Sequence, residues 1–296
     1  MILFYGEGRL GNQIFQYQAL SQVAKPRERI VAVGLEDLGR ALELCGPRLI
    51  VLTRNAVFKR IIKYAVSPLL LRPLARTLRL LNYAYEKPYG VPPNSGPSGE
   101  LSLSKGLLGA LTFVDGGYYQ NASFWPSIFP TPWFRIRSDL GDAARRYLDS
   151  ICTGACRPSF VHVRRGDYLW HADYGLADLS LPAKFYHLAT KELAVRIGET
   201  HLVFVTDDPD WVKENFRNIT NKTIVCSDAA LDFAIMTECD SGILSSSTFS
   251  LAAALMLRNP KIVIAPRYWI GFRVGEWYPP RIHFKHPKLT YLAVEN

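Results

Sequence analysis

The chain has 296 residues, of which 48% are apolar, and a formal net charge of +9. This length accommodates one large or two ordinary domains, and the apolar content excludes a disordered protein. No run of about 20 apolar residues predicts a membrane span, and the first residues resemble a core strand rather than a secretory signal. The five scattered cysteines have no metal-ligand spacing, so we expect a reduced, cytoplasmic protein.

The first predicted strand, ILFY, runs into a glycine-rich turn that precedes a helical pattern. The turn has the spacing G-x-G-x-x-G, through Gly6, Gly8 and Gly11. Such a turn favours a dinucleotide phosphate at the helix N-terminus, and Glu36 and Asp37 follow the next strand, where a ribose-binding acid would lie. The bulky Arg9 and Leu10 inside the turn count against this interpretation. An NAD-dependent nucleotide-sugar oxidoreductase is therefore kept as an alternative.

A basic stretch follows the third predicted strand. Eight cations between Arg54 and Lys87 face one acid, Glu86, and supply +7 of the net charge of +9. Leucines and aromatics alternate with them, which predicts basic amphipathic helices from Phe58 to Tyr85. Two hypotheses fit this pattern: the helices rest on an anionic membrane, or they pack one face on the N-terminal domain with their arginines solvated.

The rest of the chain alternates short apolar runs with helical patterns, which is typical of parallel α/β structure. A Pro/Gly/Ser-rich loop is predicted at residues 87–100. In the second half, strands SFVHV, LVFVT, TIVC, GILS and KIVIA alternate with predicted helices. We expect two α/β halves that meet near residue 150, with a ligand site in the cleft between them, at the carboxyl ends of the strands.

The segment FVHVRRGDY carries the most chemistry, because it places His162, Arg164, Arg165 and Asp167 at the end of a strand. Guanidinium groups suit a diphosphate, since each makes paired, charge-assisted hydrogen bonds. The alternative is a buried Arg–Asp pair that steadies the strand end.

Two further segments bear on anion and metal binding. The run Ser245–Thr248 precedes a helix, and its hydroxyls with the free N–H groups predict an anion site or, more simply, a helix N-cap. Asp208 and Asp210 have the spacing of metal-dependent sugar transferases. Asp208 is also a good N-cap before Pro209, and Asp210 suits the first helical turn, so no metal is assigned.

Together these segments resemble the bacterial α-1,2-fucosyltransferases of glycosyltransferase family 11. The matching segments span most of the chain: GRLGNQIFQY, DGGYYQNASFW, HVRRGDY, FVTDDPDW and LDFAIMTECDSGILSSSTFSLAAALM. The resemblance implies an α/β fold of GT-B type, with two Rossmann-like domains facing across a cleft. An acceptor-side domain would cover residues 1–150, and a GDP-fucose-binding domain residues 151–296, whose last residues return to the N-terminal domain.

The resemblance also implies an activity. It is inverting transfer of L-fucose from GDP-fucose to the 2-hydroxyl of a terminal β-galactoside, without a metal, a cofactor or a nucleic-acid partner. The alternative within this class is transfer to another hydroxyl or acceptor. The enzyme would be cytoplasmic, and peripheral at the inner face of the membrane if the basic helices bind lipid.

The implied donor-binding residues are Asn12, His162, Arg164, Arg165, Asp167, Asp232, Ser247, Thr248 and Phe249. Among these, His162 and Asp232 match guanosine-binding residues. Arg164 matches the arginine on the β-phosphate and is the implied catalytic group, while Asn12 matches an amide that faces the donor across the cleft. The base that would accept the acceptor's proton is left open among three residues. His171 and Asp173 follow the arginine motif, near where a superfamily relative has its catalytic Glu, and Glu7 is the third candidate.

Overall fold

The computed structural model describes residues 1–53, 55–86, 101–125, 131–152, 158–170 and 178–295. These residues form two compact units, the first from residues 1–125 and 131–135 and the second from residues 136–295. Each unit is built around a six-stranded sheet whose strands are mostly parallel. The predicted α/β class with two Rossmann-like units is confirmed.

The first unit contains eight strands and three α-helices among its described residues. The strands are β1 (Ile2–Tyr5), β2 (Arg29–Val33), β3 (Leu42–Leu44), β4 (Arg48–Val51), β5 (Asn82–Glu86), β6 (Leu101–Ser104), β7 (Thr112–Val114) and β8 (Phe134–Ile136). The helices are α1 (Leu10–Val23), α2 (Leu38–Ala41) and α3 (Ala56–Ile61), and wide helical turns continue α3 over Ile62–Leu71 and Pro73–Thr77. The sheet order is β4-β2-β1-β7-β5-β6, with only β6 antiparallel to its neighbour, and β3 pairs with β8 separately.

The prediction of helices from Phe58 to Tyr85 is wrong in its last part. Helical structure ends at Thr77, and residues Asn82–Glu86 form β5, which pairs with β7. Tyr83 and Ala84 of NYAYE are buried in the sheet, where Tyr83 packs near Phe113. Tertiary burial therefore decides the conformation of a segment whose local composition continues the basic stretch. The predicted loop at residues 87–100 lies outside the described residues.

The second unit contains six strands and five α-helices among its described residues. The strands are β9 (Ser159–Val163), β10 (Leu202–Thr206), β11 (Lys222–Val225), β12 (Ser241–Ile243), β13 (Ile262–Pro266) and β14 (Leu289–Leu292). The helices are α4 (Ser138–Ile151), α5 (Ala183–Ile197), α6 (Pro209–Asn215), α7 (Ala229–Thr237) and α8 (Thr248–Leu255). All sheet pairings are parallel in the order β11-β10-β9-β12-β13-β14, and β9, β10, β12 and β13 are buried throughout. This is the strand order of a dinucleotide-binding fold, with its reversal beside β9.

The structural boundary between the units lies before α4, whereas the sequence places it near residue 150. Helix α4 buries Ala144 and Leu148, and its Arg145 donates to Glu238 at 3.0 Å, so α4 belongs to the second unit. At the other end of the chain, β14 pairs with β13, and Glu295 pairs with Lys184 at 2.9 Å. The last described residues thus lie on the second unit.

Candidate active site

The carboxyl ends of β9 and β12 meet at the point where the strand order of the second sheet reverses. His162, near the end of β9, has its Nδ1 2.7 Å from Ser245 Oγ, which follows β12. The imidazole is 5% exposed. Its burial, helped by the neighbouring Arg164 charge, lowers the His162 pKa to about 3. His162 is therefore neutral near pH 7 and offers one N–H donor and one ring acceptor.

Arg164 lies between two carboxylates. Its Nη2 donates to Asp167 Oδ1 at 2.5 Å, and its Nη1 lies 2.7 Å from Asp207 Oδ2. The guanidinium also lies 5.8 Å from the ring centroid of Tyr168. The side chain remains partly exposed, so the two carboxylates fix its direction and leave part of the fork accessible. A fork held in this way is preorganised for an anionic oxygen.

Arg165 has a different environment from Arg164. Its guanidinium lies 4.4 Å from the ring of Trp211, and its Nε donates to Asp208 Oδ2 at 3.1 Å. Its backbone N–H donates to Asp207 Oδ1 at 2.9 Å. Arg165 therefore fastens the loop after β9 to the loop after β10.

Asp207 and Tyr168 are site residues that the sequence reasoning missed. Asp207 binds both Arg164 and the Arg165 backbone, so it joins the ends of two adjacent strands. The Tyr168 hydroxyl donates to the Ser246 carbonyl at 3.0 Å and thereby ties the arginine loop to the serine-rich turn. The available signal was position: Asp207 directly follows β10, which pairs with β9.

The serine-rich turn forms the start of α8. Ser247 is the N-cap, and its Oγ accepts from the Phe249 N–H at 3.3 Å, so the predicted cap is confirmed. Ser246 Oγ is buried and has no hydrogen-bond partner among the described residues. The Phe249 ring lies 5.6 Å from that of His162. The turn thus brings a free hydroxyl and a helix N-terminus close to the neutral histidine.

Asp232 lies near the serine-rich turn through its neighbour Phe233 and makes its own hydrogen bonds elsewhere. It accepts hydrogen bonds from the Ser227 hydroxyl and backbone N–H, which closes the loop between β11 and α7. Burial raises its pKa, while the Ser227 hydrogen bonds act in the opposite direction. The next residue, Phe233, packs near Phe249 at 5.4 Å between ring centroids, so Asp232 lies beside the same cluster.

The two acids with metal-site spacing have other partners. Asp208 caps α6 by accepting from the Trp211 N–H at 3.1 Å, with Pro209 in the first turn, as predicted. Asp210 is exposed and pairs with Lys213 at 2.8 Å. Among the described residues, no group of three or more His, Cys, Asp or Glu side chains is placed to hold a metal ion.

The glycine-rich turn of the first unit is closed by buried amides. Gly8 has a φ of +83°, and a Cβ there would lie 2.3 Å from Asn12 Nδ2. Gln16 Nε2 donates to the carbonyls of Glu7 and Gly117 at 3.0 Å each. Gln13 Nε2 donates to the Gly8 carbonyl at 3.1 Å and to Asp37 Oδ2 at 2.9 Å. Asp37, the predicted ribose acid of the dinucleotide alternative, is thus bonded to protein.

Of the three candidate bases, the structure describes only Glu7. His171 and Asp173 lie outside the described residues. Glu7 forms an ion pair with Lys63 at 2.7 Å, and hydrogen bonding to Glu7 raises the pKa of Lys63. An acceptor hydroxyl would have to displace Lys63 from this carboxylate. Asn12, whose Oδ1 accepts from Gln120 at 3.0 Å, lies in the same unit.

Comparison with known proteins shows which families and folds this chain resembles. The model of "Glycosyl transferase family 11" matches residues 133–272. The Escherichia coli O-antigen biosynthesis glycosyltransferase WbnK is 27% identical over 89% of this chain and 93% of its own length. The Bos taurus galactoside 2-alpha-L-fucosyltransferase SEC1 is 24% identical over 51% of this chain, a match that spans 43% of SEC1.

Solved structures share the fold at low sequence identity. The GDP complex of POFUT1 matches with a TM-score of 0.51 and 14% identity, over 89% of this chain and 97% of that one. The GDP complex of the α-1,6-fucosyltransferase NodZ matches with a TM-score of 0.50 and 13% identity, over 86% and 92%. These likenesses show the GT-B class of fold.

Proposed function

We propose that this protein transfers L-fucose from GDP-fucose to a galactose-terminated glycan, because residues 133–272 match the model of glycosyl transferase family 11. The observation that carries the proposal is the junction of β9 and β12. There a held arginine fork, a neutral buried histidine and a serine-capped helix N-terminus come together. Each of these groups can bind a nucleoside diphosphate without a metal.

The chemistry of fucosyl transfer matches these groups. When the bond between fucose and the β-phosphate breaks, negative charge grows on the departing GDP. Arg164 and the N-terminus of α8 would stabilise that charge, because they are oriented before the reaction begins. His162 and Asp232 would contact the guanosine, and Phe249 would pack between them and the diphosphate turn.

The metal-independent form of the reaction is part of the proposal. This part is supported by the partners of Asp208 and Asp210, which are engaged in helix capping and in an ion pair. The diphosphate charge would be met by Arg164 and by N–H and hydroxyl groups of the serine-rich turn. This replaces the Lewis acid that other sugar transferases use.

The linkage and stereochemistry are the finer part of the proposal. We propose an α linkage to the 2-hydroxyl of a terminal β-galactoside, since relatives are named galactoside 2-alpha-L-fucosyltransferase and galactoside alpha-(1,2)-fucosyltransferase. GDP-fucose carries its sugar in the β configuration, so a single displacement gives the α product. Transfer to another hydroxyl or another acceptor is the alternative, and the assay below distinguishes it.

An assay in excess EDTA with GDP-fucose and a set of terminal β-galactosides tests each part, with NMR of the product. Acceptor-dependent transfer of fucose with release of GDP, giving an α-1,2 linkage, is the expected result. Activity abolished by EDTA and restored by Mn²⁺ would refute metal independence. A β-fucoside or another linkage would refute the stereochemistry or the acceptor. No fucosylation, with NAD instead of GDP raising the thermal midpoint, would favour the oxidoreductase.

A further inference from the structure

The segment from α3 to residue 79 exposes an unusual amount of apolar surface. Of the sixteen large apolar side chains that are exposed among the described residues, seven lie between residues 57 and 78. They are Val57, Phe58, Ile61, Tyr64, Leu69, Leu70 and Leu78. Leu69 is 75% exposed and Tyr64 is 68% exposed. Such a concentration, unlike scattered exposed leucines, marks an interaction surface. We call residues 56–79 the basic helical surface.

The inner side of this surface is fastened to the first unit. Lys59 pairs with Glu36, Lys63 with Glu7 at 2.7 Å, and Arg72 with Asp115 at 2.7 Å. Ser67 and Ala75 are its buried positions, and Leu71 and Leu74 pack against the cluster around Ala75 and Phe113. Packing on the N-terminal unit, one of the two sequence hypotheses, therefore accounts for one face and leaves the exposed apolar residues unexplained.

The outer side carries cations and no acids. Arg60, Arg76 and Arg79 are exposed beside the apolar residues, and the sequence has no Asp or Glu between Glu43 and Glu86. Leu107 and Leu108, both exposed, extend the surface, because their N–H groups bond to the carbonyls of Arg79 and Leu80. Leucines and an aromatic among arginines, on short helices, are the composition of segments that lie in a membrane interface.

We propose that the basic helical surface binds the headgroup region of an anionic lipid bilayer. The apolar side chains would enter the acyl boundary while Arg60, Arg76 and Arg79 bind lipid phosphates. The described residues include no helix with the length and hydropathy of a membrane span. A second copy of the chain fits less well, because a two-fold contact would set this acid-free surface against itself.

A lipid contact at this surface would also place the transfer reaction close to the membrane. Lys63 joins the surface to Glu7 in the glycine-rich turn, so within the first unit the lipid contact adjoins a candidate base. This step rests on the proposed function: for a fucosyltransferase held at a membrane, an acceptor glycan that is carried on a lipid is favoured. The membrane contact itself does not depend on which sugar is transferred.

Flotation of the purified full chain with lipid vesicles tests the proposal. We expect binding to vesicles that contain phosphatidylglycerol, weak binding to phosphatidylcholine alone, and loss of binding at high salt. Leu69→Ser/Leu70→Ser and Arg76→Gln/Arg79→Gln should each weaken binding by roughly tenfold or more. The matched controls in the second unit, Val195→Ser/Val274→Ser and Lys191→Gln/Arg217→Gln, change equally exposed positions and should bind like wild type.

Each other outcome overturns the proposal. No lipid-dependent flotation refutes the membrane contact, and equal binding to neutral vesicles refutes the role of the cations. Equal loss in the control variants refutes the assignment to this surface. A dimer in light scattering that the Leu69/Leu70 variant alone abolishes would identify a second copy as the occupant. Circular dichroism of every variant checks folding, and GDP binding checks the second unit independently.

Discussion

The strand that comes first in the chain within each six-stranded sheet, β1 or β9, lies where the strand order reverses. The loops that follow these two strands differ in charge and in hydrogen bonding. After β9 come arginines and carboxylates with part of a guanidinium exposed. After β1 comes a glycine turn whose carbonyls are bonded to the buried amides of Gln13 and Gln16. The same topological position therefore carries partly exposed charged side chains in one unit and a turn bonded to buried amides in the other.

The comparison shows why the glycine spacing is a poor guide to ligand binding. Gly8 is required by its positive φ and by the closeness of Asn12. Gly34, also at positive φ, would place a Cβ 2.1 Å from the Gly6 carbonyl. These glycines serve the close packing of the turn itself. A phosphate site needs donors in addition, and the candidates for these are the Arg164 guanidinium after β9 and the unpartnered Ser246 hydroxyl after β12.

The largest expected effect is at Arg164. Replacing it with lysine keeps the charge but removes the fork, so kcat/KM for GDP-fucose should fall about 10²–10³-fold. The measurement is steady-state transfer to a β-galactoside, with circular dichroism to confirm folding. Near-normal turnover by folded Arg164→Lys would show that the β9 edge is not the site of charge stabilisation.

A change at the glycine turn should act on stability instead. Gln16→Leu leaves the Glu7 and Gly117 carbonyls without their donor, which should lower the free energy of unfolding of the first unit by about 2–4 kcal/mol. Calorimetric GDP binding, expected in the second unit, should be unchanged. Loss of GDP affinity with unchanged stability would reverse the comparison.

Much of the second unit could be predicted because its strands are continuous apolar runs bounded by caps. SFVHV and LVFVT became β9 and β10, and Asp208 and Ser247 cap α6 and α8 as their positions indicate. The first unit was harder. Strand β7 has only three residues, and β5 follows the basic stretch and is identified by its burial in the sheet rather than by a sequence period of its own.

The sequence identified candidate site residues but did not predict most of the contacts between them. The sequence places Arg164 and Asp167 three residues apart, which suggests their pairing. It gives no sign that Asp207 holds Arg164 as well, because that contact depends on the β9–β10 register. The closure of the glycine turn by Gln13 and Gln16 also depends on three-dimensional packing, which a local spacing does not encode.

A smaller effect is expected at Asp207, which orients both arginines. Asp207→Asn removes the charge but keeps the shape, so the KM for GDP-fucose should rise about tenfold, the equivalent of one charge-assisted hydrogen bond. The kcat should change less, since Arg164 remains present. Asp210→Asn is the matched control, because Asp210 pairs only with exposed Lys213 among the contacts described above. Equal effects of the two substitutions would exclude a positioning role.

The smallest expected effect is a pH dependence that separates the buried β9 edge from the rest of the molecule. Burial lowers the His162 pKa from 6.5 to about 3 in the folded chain, so between these pH values the unfolded chain binds a proton that the folded chain does not. The free energy of unfolding therefore falls as the pH falls from about 6.5, by about 1–2 kcal/mol at pH 5 from this group. Denaturant titration of wild type and His162→Asn should show the difference between them shrinking over this range. Parallel curves for wild type and His162→Asn would mean that His162 is protonated within the fold, and the neutral donor–acceptor role assigned to it would be wrong.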